Sequence, residues 1–211
     1  MSQIELNLGR RFARLATDAV VRRPWLWRLF RPLTRLQFDR MAPRWTAMRS
    51  ADAFASLEAA LDSLPQPPGR ALDLGTGTGL AAFAVARHFP DAEVVGADLS
   101  EAMVAQAQAD TPPELAGRVR FQAADAAQLP FEEGAFELVV LANMIPFFDE
   151  LERVVSPGGH VVFMFSAGPE TPIWVPPERL RKELESRGFS DFADFEAGVG
   201  TSLLARKGDG N

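Results

Sequence analysis

Three alternate glycines, Gly75, Gly77 and Gly79, are the residues whose type and spacing most directly indicate a ligand site. They follow an apolar run with the pattern of a β-strand, and a helical pattern begins directly after them. Glycines tolerate positive φ and let a ligand approach the main chain, while a helix N-terminus offers unpaired N–H groups. A nicotinamide-type loop would need glycine where Leu80 stands, so the pyrophosphate fingerprint fails. Asp73, two residues before the first glycine, is instead placed to attract an ammonium group.

Two further acids, Asp98 and Asp125, stand at the carboxyl ends of predicted strands. Asp98 follows the glycines by about 20 residues, the distance at which doubly wound folds place an acid that binds ribose hydroxyls. Taken alone, either acid is equally suited to cap a helix or a turn. Because both lie at the strand edge where the glycine loop also lies, we expect the three elements to form one nucleoside site.

The glycine loop, the segments around Asp98 and Asp125, and the paired runs 136–143 and 152–159 form four motifs. In this order they resemble those of the class I S-adenosylmethionine (SAM)-dependent methyltransferases, and the resemblance runs from about Arg70 to Lys207. It implies SAM as the cofactor and S-adenosylhomocysteine as its product. It also implies that the glycine loop holds the methionine end, that Asp98 binds the ribose, and that Asp125 reads the adenine. The implied cofactor-binding residues are Asp73, Gly75, Thr76, Gly77, Gly79, Asp98, Leu99, Met103, Asp125, Ala126 and Asn143. Leu99 and Met103 are equally compatible with an ordinary core role.

Short β-rich runs alternate with helical patterns from Ala71 onward, which is typical of a parallel sheet covered by helices. The loop between the last two strands is too short for a helical crossover, which predicts an antiparallel hairpin. The resemblance implies an α/β, doubly wound Rossmann-like sheet of seven strands, order 3-2-1-4-5-7-6, with strand 7 antiparallel and helices before the sheet. We predict strands at 70–74, 93–98, 119–124, 136–142, 160–166, 189–197 and 202–206, and helices at 51–64, 80–89, 101–109, 147–154 and 177–187.

The composition of the 211-residue chain, 47% hydrophobic and 24% charged, fits one globular domain. Cysteine is absent, which excludes disulfides, thiolate metal sites and a cysteine nucleophile and favours a cytoplasmic location. The N-terminus lacks the pattern of a secretory signal, and no apolar run is long enough to span a membrane. We expect a single methyltransferase domain over 1–211, with N-terminal helices in 1–64 and the SAM-binding core in 70–207.

Residues 10–49 contain eleven arginines against Asp18 and Asp39, so this segment carries a charge of +9 while the remainder carries −15. A helix predicted over 24–48 is amphipathic. Its apolar stripe contains Leu26, Leu29, Phe30 and Leu33, and a second stripe contains Arg28, Arg31 and Arg35. One interpretation is a lid over the pocket, together with 168–177, whose arginines stay in water. The other is a helix lying on an anionic membrane to collect a lipophilic acceptor. Nucleic acid is not expected, since the aromatic residues lie on the apolar stripe rather than among the arginines.

Groups suited to proton transfer are few, because the chain has no Tyr, no Cys and only two His. His88 and His160 are predicted at the edge of the sheet opposite the cofactor, in structural roles. Asn143 is the weak catalytic candidate, since the family places a residue there that borders the methionine moiety and the acceptor. Asp149 and Glu150 are equally well explained as solvated helix charges. No carboxylate cluster can be assembled, so we predict no metal.

Four aromatic residues near predicted strand ends, Trp45, Phe147, Phe148 and Trp174, suggest a small apolar or aromatic acceptor, although each also fits a core position. Residues 38–46 resemble a segment of the ubiquinone and menaquinone C-methyltransferases, which usually end it in Tyr-Asp where this chain has Trp45-Thr46. The resemblance favours a quinone-like acceptor. The alternative is a SAM-binding protein without catalysis, acting as a sensor or partner subunit.

Overall fold

The computed structural model describes residues 3–45 and 54–210, with side chains described for 9–42 and 54–210. Seven strands form one sheet in the order β3-β2-β1-β4-β5-β7-β6. The strands are β1 Arg70–Leu74, β2 Glu93–Asp98, β3 Val119–Ala123, β4 Phe136–Ala142, β5 Val155–Phe165, β6 Phe189–Ala197 and β7 Gly200–Lys207. β7 runs antiparallel to both β5 and β6, and all other pairs are parallel. The predicted fold class, strand order and final hairpin are confirmed.

Helices cover both faces of the sheet, and alternate strand residues contact each layer. The helices are α1 Gln3–Arg22, α2 Trp27–Trp45, α3 Ala55–Asp62, α4 Leu80–His88, α5 Glu101–Ala109, α6 Phe148–Val154 and α7 Pro177–Glu185, with a 3-10 turn, Pro24–Leu26, before α2. On β1, Leu72 packs in the core that holds α6 and α7, whereas Ala71 packs in the core that holds α3, α4 and α5. The sheet is therefore a rigid, two-sided platform for its carboxyl edge.

Predicted element bounds differ from the structure most at β5, which begins at Val155, directly after α6, rather than at His160. Val155 pairs with Phe136, and the register slips before Leu138 pairs with His160. Gly158 takes φ +74° within this irregular stretch. A Pro-Gly-Gly sequence has the pattern of a loop, so pairing across a bulge could not be foreseen.

Three of the shorter predictions also needed correction. The helix predicted over 51–64 is α3, Ala55–Asp62, and residues 51–53 lie outside the described part of the chain. The helix predicted over 177–187 ends at Glu185. The third strand ends at Ala123, because Asp125 enters a tight turn that bridges to Gln128.

The N-terminal helices reach the carboxyl edge of the sheet through polar contacts. From α1, Arg10 and Arg14 donate to the main-chain oxygens of Glu170 and Pro169, at 2.7 and 2.9 Å. From α2, Asp39 accepts from the Ser100 hydroxyl at the start of α5 (2.5 Å). Helix α3 packs elsewhere, against β6 and β7. Both predicted lid segments, 24–48 and 168–177, are therefore linked to this edge through their described residues.

Candidate functional site

The glycine loop is a left-handed turn whose shape the surrounding protein determines. Gly75, Gly77 and Gly79 have φ of +75°, +55° and +86°, and the amide of Gly75 donates to the Ala97 carbonyl (2.8 Å). A Cβ on Gly79 would lie 2.7 Å from the Phe121 ring. Glycine at this position is thus required both by its φ and by ring packing.

Asp73 supports the loop from inside the protein. Its side chain is fully buried, and Oδ2 accepts from the Thr76 hydroxyl (2.6 Å) and from the Ala82 amide in α4 (2.9 Å). Asp73, Thr76 and Gly79 do not line the cavity described below, so their direct contact with a cofactor stays a prediction. In this structure Asp73 and Thr76 hold the loop against the first turn of α4.

Asp98, at the end of β2, is the carboxylate that faces the loop. Oδ2 accepts from the Gly77 amide (2.8 Å) and Oδ1 from the Ser100 amide (2.9 Å). Burial raises the pKa of Asp98 above its ordinary value, and the negative charge of Asp39 raises it further, against the lowering effect of the amides of Ser100, Gly77 and Leu99. A desolvated carboxylate in this position is suited to accept hydrogen bonds from neighbouring hydroxyl groups on a ligand.

The loop, the ends of β2 and β4, and α2 enclose a cavity of about 60 Å³. Seven of the predicted cofactor-binding residues meet there: Gly75, Gly77, Asp98, Leu99, Met103, Ala126 and Asn143. Sequence reasoning missed the eight others that line it: Trp27, Thr34, Phe38, Leu74, Ala97, Ala124, Ala142 and Met144. The spacing of Trp27, Thr34 and Phe38, seven and then four residues, puts them on one helix face, and this was the available signal.

Comparison with known proteins agrees with this geometry. Residues 71–159 match the family model described as "Methyltransferase domain". The chain is 39% identical over 140 residues to a demethylmenaquinone methyltransferase of Thermus thermophilus, which covers 60% of this chain and 63% of that protein. It is 33% identical over 150 residues to a malonyl-[acyl-carrier protein] O-methyltransferase of Halorhodospira halophila, covering 67% of this chain and 50% of that one. The chain thus spans less than two thirds of each relative.

The fold is shared with a solved SAM-dependent methyltransferase from Aquifex aeolicus, at TM-score 0.66 and 17% identity over 78% of this chain and 97% of that one. The matched segment contains the glycine loop and Asp98. Residues 71–159 therefore match a methyltransferase domain, and the fold is that of the class I SAM-dependent methyltransferase family. The cofactor of this family is SAM, and the donor set fits it, since main-chain amides and the Asp98 carboxylate offer partners to its amino-acid and ribose groups.

Met144 covers the glycine loop. A Cβ on Gly75 would lie 2.6 Å from the Met144 Sδ. Small-molecule sites have volumes of about 300–1,000 Å³, several times the 60 Å³ of this cavity. Met144 therefore narrows the space above the glycine loop.

Asn143 lines the cavity and also joins two strand ends. It adopts φ +55°, and its Oδ1 accepts from the Ser166 amide (2.9 Å) and hydroxyl (3.2 Å) after β5. Asparagine is one of the few residues that tolerate this left-handed conformation. Its observed contacts are those of a positioning residue, and a catalytic role stays a prediction.

Asp125 contacts α2 rather than the cavity. Its Oδ1 accepts from the Trp27 indole N–H (2.8 Å) and from the Ala127 amide (3.0 Å), and Oδ2 pairs with Arg31 (2.9 Å). The neighbouring Ala124 and Ala126 face the cavity instead. To read an adenine edge, Asp125 would have to exchange its α2 partners for the cofactor.

The orientation of α2 differs from the predicted lid. Arg31 and Arg35 are half exposed, yet they bind Asp125 and Glu101, the latter at 3.0 Å. Leu29 and Leu33, predicted on one stripe with Leu26 and Phe30, are exposed, whereas Leu26 and Phe30 are partly buried. The predicted apolar stripe is therefore divided between the protein and solvent. The role of this segment as a lid stays a prediction.

A groove of about 620 Å³ lies beside the cavity and shares Trp27 with it. Trp25, Phe147 and Phe148 also line this groove, and the Phe147 ring packs edge-on against Trp27 with a centroid distance of 5.3 Å. Phe147 and Phe148 are buried in the core beside this groove, so their contact with an acceptor stays a prediction. Trp174 packs against Phe165, with a centroid distance of 4.8 Å, and lines neither the cavity nor the groove. The Trp45 side chain lies outside the described residues.

The remaining titratable candidates have structural partners. Glu150 accepts from the Leu129 amide and from Arg153, and these bonds outweigh burial and lower its pKa. Asp149 pairs with Arg187 (2.7 Å), and His88 lies 3.5 Å from Asp62. Burial, and then the charge of Arg206, lower the pKa of His160. Neither histidine lines the cavity.

Among residues 3–45 and 54–210, no three or more His, Cys, Asp or Glu side chains form a cluster able to hold a metal ion. None of the helices described is long and apolar enough to cross a bilayer.

Proposed function

We propose that this chain transfers a methyl group from SAM to a small apolar or aromatic acceptor, of which a quinone-like ring is the leading class. The observation that carries the proposal is the Asp98 carboxylate, fixed by the Gly77 amide at the mouth of the glycine loop. The four aromatic side chains in the otherwise largely charged lining of the neighbouring groove, and the relative named demethylmenaquinone methyltransferase, support the acceptor class. Residues 1–211 would act as one domain, with 1–64 covering the 70–207 core.

The roles of individual residues follow from their contacts. SAM, when bound, supplies an electrophilic methyl group on a sulfonium, and the protein aligns the acceptor in line with it. Asp98 would accept hydrogen bonds from the ribose hydroxyls, while Leu99, Met103 and Ala126 exclude water around the adenine. Asn143 would hold the β4 and β5 ends at the acceptor side through its bonds to Ser166.

Calorimetry with S-adenosylhomocysteine tests the cofactor site. Asp98→Ala should weaken binding about 100-fold, because two charge-assisted hydrogen bonds are lost. Asp98→Asn, which keeps an acceptor oxygen, should weaken it less. Asp91→Ala, at an exposed position outside the cavity, is the control and should bind like the unaltered protein. If Asp98→Ala folds and keeps full affinity, the assignment of this site is wrong.

A transfer assay tests the acceptor class. Labelled SAM is supplied with a reduced naphthoquinone, and the product is compared with that from an equally apolar aromatic compound without ring oxygens. We expect label only in the quinol. Transfer to neither compound, together with tight S-adenosylhomocysteine binding, would count against the quinone-like class.

The second candidate is a SAM-binding sensor or partner subunit without catalysis. It is favoured by one observation: among the described lining residues of the cavity, Asp98 is the single titratable side chain. A general base is needed only where the acceptor must lose a proton. Turnover with any acceptor excludes this candidate, whereas binding without turnover across a broad acceptor panel supports it.

We also propose peripheral contact of the N-terminal segment with a membrane. The charge of +9 over residues 10–49 and the lipophilic acceptor class support it. Flotation with anionic vesicles at low salt tests the contact, and failure to bind would eliminate it.

A further inference from the structure

The side of α2 that faces away from the cavity carries an unusual set of exposed apolar side chains. Among the described residues, six large hydrophobic side chains are exposed, and five of them lie on α1, the 3-10 turn and α2. Leu29, Leu33 and Leu36 are spaced four and then three residues apart, which places them on one line along α2. With Trp25 in the preceding turn they form what we call the leucine ridge, whose members are 62% (Trp25), 66% (Leu29), 56% (Leu33) and 46% (Leu36) exposed.

Exposed arginines that form no ion pair with the described residues lie around the leucine ridge. Arg40 continues its line four residues after Leu36, and other exposed arginines stand near its beginning, at positions 22, 23 and 28. Within the described part of the chain these four form no ion pair, whereas Arg31 and Arg35 are tied inward to carboxylates. The exposed leucines of α2 are therefore followed by Arg40 on the same line, while Arg22 and Arg28, near the beginning of the ridge, also line the groove.

We infer that the leucine ridge inserts into an anionic lipid bilayer, with the unpaired arginines at the headgroups. The inference identifies the face that makes the proposed membrane contact, and its link to the acceptor rests on the proposed function. Interfacial helices bury an apolar face about 5–10 Å deep, and arginines beside it attract anionic lipid. The exposed line of leucines and its arginine border match both requirements.

A second copy of this chain fits the leucine ridge less well than a bilayer does. A two-fold pairing brings the same surface of both copies together. Arg40 lies on that line in each copy, so like charges would meet at the interface, and like-charge contacts oppose association. An anionic bilayer offers apolar volume together with opposite charge.

The inference also provides a route for a lipophilic acceptor. Trp25 belongs to the leucine ridge and lines the aromatic groove, and Trp27 lines both that groove and the cavity. With the leucine ridge in the bilayer, the mouth of the groove beside Trp25 is at the lipid surface. An acceptor can then pass from lipid toward the site between Trp25 and Trp27, in a groove that charged side chains also line.

Flotation tests the inference with vesicles of phosphatidylcholine containing phosphatidylglycerol, compared with phosphatidylcholine alone. The unaltered chain should float with the anionic vesicles and be released by salt. The triple variant Leu29→Ser, Leu33→Ser, Leu36→Ser should lose at least about 100-fold in partitioning, because each leucine contributes roughly tenfold. Val199→Ser, which alters the exposed apolar residue remote from α2 in sequence, is the control and should bind normally.

Two results would overturn the inference. One is equal flotation of the triple variant and the unaltered chain. The other is a dimer, seen by analytical ultracentrifugation, that the triple substitution abolishes while vesicles bind neither protein. S-adenosylhomocysteine affinity, measured on the same samples, should be unchanged in the triple variant, since the leucine ridge does not line the cavity. That measurement separates failure of the membrane face from failure of the cofactor site.

Discussion

The glycine loop and α2 enclose one cavity but are held in place by different kinds of interaction. The loop is fixed by main-chain hydrogen bonds to β2 and by the rings of Phe83 and Phe121 around Gly79. Helix α2 is held by side-chain contacts such as Asp39 with Ser100 and Arg35 with Glu101, and most of these side chains are partly exposed. Exposed ion pairs contribute about 0–1 kcal/mol each. One wall of the site is therefore rigid, and the other can open.

This difference indicates which wall would move more readily to admit a ligand. The loop cannot withdraw without disturbing β1, β2 and α4, whereas movement of α2 requires its polar contacts to break and the buried Trp27 ring to leave Phe147. Because the cofactor needs more than 60 Å³, we expect binding to move α2 or Met144 rather than the glycines. The predictions below test the rigid wall first and the movable wall afterwards.

The largest effect is expected for Gly79→Ala. The new Cβ would meet the Phe121 ring at 2.7 Å and would also force alanine to adopt φ +86°. We expect a loss of about 2–5 kcal/mol in the free energy of unfolding, the sum of left-handed strain and overpacking. Urea denaturation measures it.

Gly188→Ala is the matched control for that change. Gly188 has φ +79°, but a Cβ there meets nothing within 4 Å. Gly188→Ala should lower the free energy of unfolding only by the left-handed backbone strain, about 1–2 kcal/mol. Equal losses in the two variants would show that ring packing does not fix the loop.

A smaller effect is expected for Ser100→Ala, which alters the junction between the two walls. The Ser100 hydroxyl accepts from the Met103 amide (3.1 Å) as the N-cap of α5 and donates to Asp39 on α2. Loss of the cap should cost about 0.5–2 kcal/mol, measured by thermal or urea unfolding.

Asp39→Ala separates the two functions of Ser100, since it removes the α2 contact and leaves the cap. It should destabilise the protein less than Ser100→Ala does. If the two variants lose the same stability, the cap contributes nothing and the contact to α2 carries the whole effect.

The difference between the glycine loop and α2 also explains which parts of the fold and of the site could be predicted from the sequence. The strands and the glycine loop are local patterns, so their order and the position of Asp98 followed from the residues and the family resemblance. The orientation of α2 depends on where Asp125 and Glu101 lie in space, and helical periodicity alone cannot tell which of two stripes faces the protein. For the same reason Trp27 and Phe38 were missed, and Asp125 was assigned to the cofactor although it binds Trp27 and Arg31.

The smallest effect is expected from the influence of Asp39, on α2, on the pKa of Asp98 beside the glycine loop. Burial and the charge of Asp39 raise the pKa of Asp98, so its carboxylate takes up a proton at a higher pH than an exposed aspartate would. S-adenosylhomocysteine affinity, which uses the ionised form, should therefore fall as the pH is lowered through that raised pKa. Asp39→Asn keeps an oxygen for the Ser100 hydroxyl and removes the charge, so the loss of affinity should move to lower pH.

Calorimetry over a pH series, with Asp91→Asn as the control, measures this shift. The ligand-free protein should show the opposite dependence. An acid whose pKa is raised by folding adds stability below its unfolded pKa and loses that contribution as the pH rises through the folded value. Asp39→Asn should reduce this loss. If the affinity profiles of Asp39→Asn and the unaltered protein coincide, α2 does not influence Asp98, and the two walls of the site act independently.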